Sequence, residues 1–192
     1  MPELSRRTFL VGVGGSIAAA WLAVETRDLR AAGAHAARVA RQSPRPPFQF
    51  LTPEQGADLE AMAAQIIPTD ETPGAREANV VYFMDQALAT YAKKRRAPIT
   101  KGLVQLRARS AKMFRGTKSF ASLTDSQQIA VLTALDKDKN EFFEEIRGAT
   151  IAGMFANPEY GGNRDKIGWK MIGFDDRFSW GPPFGWYDRD VR

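Results

Sequence analysis

The chain has 192 residues, 44% hydrophobic and 26% charged, which is enough to bury the core of one ordinary domain and too apolar for a disordered chain. It contains no cysteine, which excludes disulfides, thiol catalysis, Cys-ligated zinc and iron–sulfur clusters. Its one histidine, His35, lies near the N-terminus, so the body has no imidazole for a Ser-His-Asp triad, a His-ligated metal or an axial-His haem. The net charge of +5 is too small to argue for nucleic acid, and no nucleic-acid partner is expected.

The first element is a leader, residues 1–36. Arg6 and Arg7 stand before an apolar run from Phe9 and Leu10 to Val24. The order Ser5-Arg6-Arg7-Thr8-Phe9-Leu10 resembles a twin-arginine export signal, which routes already folded cargo across a bacterial membrane. At 16 residues the run is shorter than the ~20 needed to span a bilayer as a helix. Ala34-His35-Ala36 is a cleavage-like site. The alternative is an uncleaved membrane anchor. Residues 37–50 carry three prolines and three arginines and read as an extended linker.

From residue 51 to 192 the pattern predicts an all-α domain of about five helices. Thr52-Pro53-Glu54-Gln55 is a helix entry with a capping box, and Leu59, Met62, Ala63 and Ile66 share one face. Pro68 ends this helix. A second helix is predicted over 75–91, with Val80, Met84, Leu88 and Tyr91 on one side. A third is predicted over 99–114, with Leu103, Leu106 and Ala111 inward. Thr124-Asp125-Ser126-Gln127 repeats the entry signal, and Ile129, Leu132 and Leu135 follow it. The fifth runs over 140–155, with Phe142, Phe143, Ile146 and Thr150 inward, until Asn157-Pro158 stops it.

Several motifs have the outline of a chemical site without its full set of residues. Asp136, Asp138 and Asn140 imitate a calcium loop, but Glu141 and Arg147 stand where that loop requires glycine and glutamate. Gly12-Val13-Gly14-Gly15 lies in the leader and has no strand–turn–helix around it. The adjacent pairs Glu144–Glu145 and Asp175–Asp176 diverge on a helix, so no acid/base pair emerges. Lys93-Lys94-Arg95-Arg96 reads as a solvated helix end, with an acidic surface or phosphate as the other reading.

The C-terminal segment is irregular and rich in glycine and aromatic residues. Gly161 and Gly162 read either as a tight connector or as an anion cradle. Phe178, Trp180, Phe184, Trp186 and Tyr187 crowd into ten residues. These rings pack either on the domain's own core or across a partner.

The pieces LTPEQ, IIPTDETPGAREANVVYFMDQAL and GMFANPEYGGNRDKIGWKMIGF, behind a twin-arginine leader, resemble the gluconate 2-dehydrogenase subunit 3 family. The matching segments are Ile67 to Asp70, Tyr160 to Asn163, Gly168 and Trp169. The resemblance implies an accessory chain without catalytic residues, metal or cofactor of its own. It implies as partners a large flavoprotein subunit carrying FAD, often a cytochrome c subunit, and the twin-arginine translocase during export. The expected location is the periplasm, beside the cytoplasmic membrane. Tyr160, Gly161, Gly162, Asn163, Trp169, Trp180 and Trp186 are the partner-binding candidates. Against this stand a self-sufficient periplasmic enzyme working through carboxylates, tyrosines or a metal, and an unrelated binding or scaffold protein.

Overall fold

The computed structural model describes residues 15–22, 47–177 and 179. Arg6, Arg7, Phe9 and Leu10, expected from the sequence to form an export signal, and the tail candidates Trp180 and Trp186 lie outside the described residues. So do the cleavage-like site and most of the linker.

Seven α-helices and no strands form among the described residues: α1 Gly15–Leu22, α2 Pro53–Ile66, α3 Val80–Ala89, α4 Arg96–Met113, α5 Asp125–Lys137, α6 Glu141–Phe155 and α7 Ile167–Ile172. Five of these, α2 to α6, are the predicted helices. The additions are α1, in the stretch read from the sequence as a leader, and the short α7. Both capping boxes form as predicted, Thr52 with Gln55 on α2 and Thr124 with Gln127 on α5. Each satisfies helix N–H groups that have no partner within the helix.

Helix α6 is the hub and touches all six other helices. Helix α3 is buried along nearly its whole length, from Val80 to Leu88. Burial on all sides, its polar Asp85 and Gln86 included, makes it a core helix, so the single inward face predicted for it was too narrow. No helix among the described residues is long and apolar enough to cross a membrane.

Three details differ from the sequence reading. Helix α3 starts at Val80 instead of Ala75, because Asn79 adopts a left-handed conformation (φ 55°) that breaks the helical path. On α4 the inward residue is Ser110, and Ala111 is exposed. The Ser110 hydroxyl donates to the Leu106 carbonyl at 2.8 Å, which makes its burial affordable. On α5 the buried face is Gln128, Val131, Leu132 and Leu135, and Ile129 is 52% exposed. Gln128 is satisfied there by the Leu123 carbonyl at 3.1 Å and by Gln65 Nε2 at 2.9 Å.

Two buried carboxylates hold the connections. Asp85 on α3 accepts from the backbone N–H groups of Gln49, Phe50 and Leu51 at 2.8, 2.9 and 2.9 Å, and so pins the strand of chain that enters α2. Asp58 on α2, fully buried, accepts from Arg107 Nε at 2.6 Å and from the Ala121 N–H at 3.0 Å. It ties α2 to α4 and to the turn before α5.

Candidate partner-binding site

The residues of the late motif converge on the C-terminal end of α6. A helix end leaves carbonyls without partners. Here they are capped from a distance. The Asn163 N–H donates to the Gly153 carbonyl at 2.8 Å, its Nδ2 donates to the Ala156 carbonyl at 2.9 Å, and its Oδ1 accepts from the Gly168 N–H at 2.8 Å. The Trp169 indole donates to the Phe155 carbonyl at 2.7 Å. Asn163 is fully buried and left-handed, at φ 45°, ψ 41°. Asparagine tolerates that region better than most residues, and its short amide reaches both neighbours.

The glycines make the approach possible. A Cβ on Gly162 would sit 2.2 Å from the Gly153 carbonyl oxygen, and one on Gly168 would sit 1.9 Å from that of Met154. Both obstacles are backbone, which cannot step aside. Gly162 therefore packs as the tight connector of the two readings does, and Gly161 before it takes the left-handed φ of 96° that favours glycine. Tyr160 is half-buried and packs on the core, and the Arg164 N–H bonds the Ala78 carbonyl at 3.2 Å, tying this clamp to the loop before α3.

That loop carries the early motif. Glu77 accepts from the Thr69 hydroxyl and from the Gly74 N–H, both at 2.8 Å. Burial pushes the Glu77 carboxyl up, but the hydrogen bonds from Thr69 and from the backbone of Glu77 and Gly74, with Arg76 nearby, outweigh it and hold the group below its usual value. The early and late motifs thus adjoin each other beside the C-terminal end of α6. Tyr160, Gly161, Gly162, Asn163 and Trp169 are brought together there, and their described contacts build the fold. Trp169 also meets Phe174 edge-on at 5.1 Å, and Ile172 and Phe174 remain about half exposed, leaving apolar surface beside the clamp.

The basic run Lys93–Arg96 divides its labour. Arg96 Nε and NH2 donate to the Leu88 and Ala89 carbonyls at 2.7 and 3.1 Å, so it completes the C-terminal end of α3 as a helix-end cation should. Arg95 pairs with Glu145 of α6. Lys93 and Lys94 are exposed and border an open groove of about 1560 Å³, shared with Lys101, Lys139 and Phe142.

The remaining sequence candidates are engaged in the fold. Asp138 pairs with Arg109 at 2.6 Å, Asp136 with Arg147 at 3.6 Å, and the Asn140 side chain caps α6. Glu144 pairs with Arg147. Burial pushes the Tyr91 hydroxyl far above its ordinary value, neighbouring Tyr160 adds to this, and Arg95 only partly opposes it, so Tyr91 stays protonated near neutral pH. Among the described residues no group of three or more His, Cys, Asp or Glu is placed to hold a metal ion. Sequence reasoning missed Asp85, Asp58 and Trp21. A tryptophan inside an otherwise small-residue leader was the one available signal for the last of these.

A small all-helical domain, with its two signature loops locked together at one end of a central helix, is the class that this arrangement defines. The chain belongs to the gluconate 2-dehydrogenase subunit 3 family, whose model matches residues 53–176. The match begins at the first residue of α2 and ends just beyond α7, so it spans both locked loops. Comparisons with curated proteins and with solved structures returned no match.

Proposed function

We propose that this chain is the non-catalytic small subunit of a periplasmic, membrane-associated, FAD-dependent dehydrogenase of the GMC type, acting on gluconate, a sugar or a polyol. The large subunit binds FAD and carries out the oxidation, and a cytochrome c subunit accepts the electrons in complexes that contain one. This chain stabilises the flavoprotein and lends it the twin-arginine leader, so that the pair crosses the membrane folded. Any partner that binds only the native state stabilises it by mass action.

The observation that carries the reading is family membership over residues 53–176, with the arginine pair standing ahead of that segment. The composition agrees: the matched segment contains no cysteine and no histidine, the residues that most often supply nucleophiles, bases and metal ligands. The half-exposed Ile172 and Phe174 and the lysine-lined groove offer apolar and cationic surface for a partner.

The test is co-expression with the flavoprotein, with Arg6→Lys and Arg7→Lys together in this chain. Dehydrogenase activity should disappear from the periplasmic fraction and either remain in the cytoplasm or be lost. Periplasmic activity at the wild-type level would refute the escort role.

A further inference from the structure

Helix α1, Gly15–Leu22, is the middle of the leader's apolar run, yet it sits on α6 as part of the folded domain. Its anchor is Trp21, which is fully buried. The indole meets the Phe83 ring of α3 at a centroid distance of 6.1 Å. The Arg95 guanidinium lies over the indole at 4.8 Å and also donates to the Ala20 carbonyl at 3.4 Å. Arg95 is itself held by Glu145 of α6. Elements from three places in the chain therefore close on one leader side chain.

This order comes from docking, because an isolated helix of eight residues does not persist in water. The seat is also releasable. Ala19, Ala20 and Leu22 face solvent. The Trp21 indole N–H is buried without a hydrogen-bond partner, a cost carried only by the docked state. An element held by apolar contact and opposed by an unpaired donor is suited to two-state behaviour.

We propose that α1 is an intramolecular clasp: the free subunit holds Gly15–Leu22 in the seat formed by Phe83, Arg95 and α6 through Trp21, and this part of the leader becomes available for recognition only when α1 leaves. The masking consequence rests on the twin-arginine reading of the leader; the clasp itself rests on the contacts of Trp21. Binding to a state populated only as a small fraction is weakened by that fraction. The protection of α1 and the gain in leader recognition on release should therefore agree in size.

The experiment uses the full chain. Hydrogen exchange of residues 17–22 is compared with that of a synthetic peptide of residues 1–24. In the wild type these amides should exchange at least about tenfold more slowly than in the peptide. Arg95→Ala leaves the leader sequence intact and should remove most of that protection, about tenfold, while α2 to α6 keep theirs. Binding to membrane vesicles containing the twin-arginine translocase should rise by the same factor. If Arg95→Ala also loosens α2 to α6, Trp21→Ala is read in its place.

Wild-type leader amides exchanging at the peptide rate would overturn the clasp. So would a released variant that binds vesicles no better than wild type while the peptide binds them well. If the leader is protected, and neither the peptide nor the released variant binds vesicles, the clasp stands and the export reading fails.

Discussion

Replacing Asn163 with alanine should be among the most damaging single changes outside the apolar core. Its Oδ1 and Nδ2 make bonds of 2.8 and 2.9 Å to the Gly168 N–H and the Ala156 carbonyl, inside a residue with no solvent exposure. Orphaning each buried partner costs about 1–3 kcal/mol. Holding alanine instead of asparagine at φ 45° adds about 1 kcal/mol. The total is about 4 kcal/mol, taken toward the lower end because a relaxed helix end admits some water. With a urea m-value of about 2 kcal/mol/M, the midpoint should fall by about 2 M. Asn163→Gly keeps the backbone freedom and should fall about 0.5 M less far. Asn163→Asp retains the acceptor but sets a charge against the Ala156 carbonyl, and should do no better than alanine. Asn157→Ala, which loses only an exposed bond to the Glu159 N–H, is the control and should cost about 1 kcal/mol or less. A midpoint for Asn163→Ala within about 0.3 M of wild type would refute the view that this residue locks the end of α6.

Asp58→Ala leaves the partly buried Arg107 without its carboxylate and should cost about 3–5 kcal/mol in urea unfolding, only part of it recovered by Asp58→Leu combined with Arg107→Met, which still leaves the Ala121 N–H without its acceptor. Asp85→Ala orphans three backbone donors and should cost about 3 kcal/mol, with hydrogen exchange accelerated selectively at residues 49–51. Glu77 has a folded pKa below its unfolded one, so its contribution is complete above the usual glutamate value of 4.5 and fades as the pH falls through the lower folded value. The stability difference between wild type and Glu77→Gln should therefore be constant near neutral pH and shrink below about pH 4.5; a difference that stays flat down to about pH 3 would contradict the hydrogen-bonded carboxylate.

Local chemistry was legible where it closes on itself. Thr52 with Gln55 and Thr124 with Gln127 satisfy their own helix starts within four residues, so α2 and α5 begin where the sequence places them. Features that depend on distant partners were not. Ser110 and Gln128 occupy inward positions because each hydroxyl or amide finds an acceptor there, and a reading that counts only apolar residues passes to Ala111 and Ile129 instead. The start of α3 is set by Asn79 and by a loop pinned through Glu77, whose partners Thr69 and Gly74 lie outside the helix. The glycines of the late motif were readable as close-packing residues. The helix end they pack against, and the part played by Asn163, became visible only once α6 was in place. Trp21 was concealed by its setting, since an apolar run behind two arginines reads as a leader whether or not it also docks.

The decisive measurement is to purify the tagged full chain with the proposed flavoprotein, record flavin absorbance and dye-linked oxidation of gluconate, sugars and polyols, then separate the two chains and repeat both. Flavin and turnover should belong to the complex and to the large chain, and this chain alone should show neither. Turnover by the separated small chain would contradict the proposal that its work is to shape, stabilise and deliver a partner.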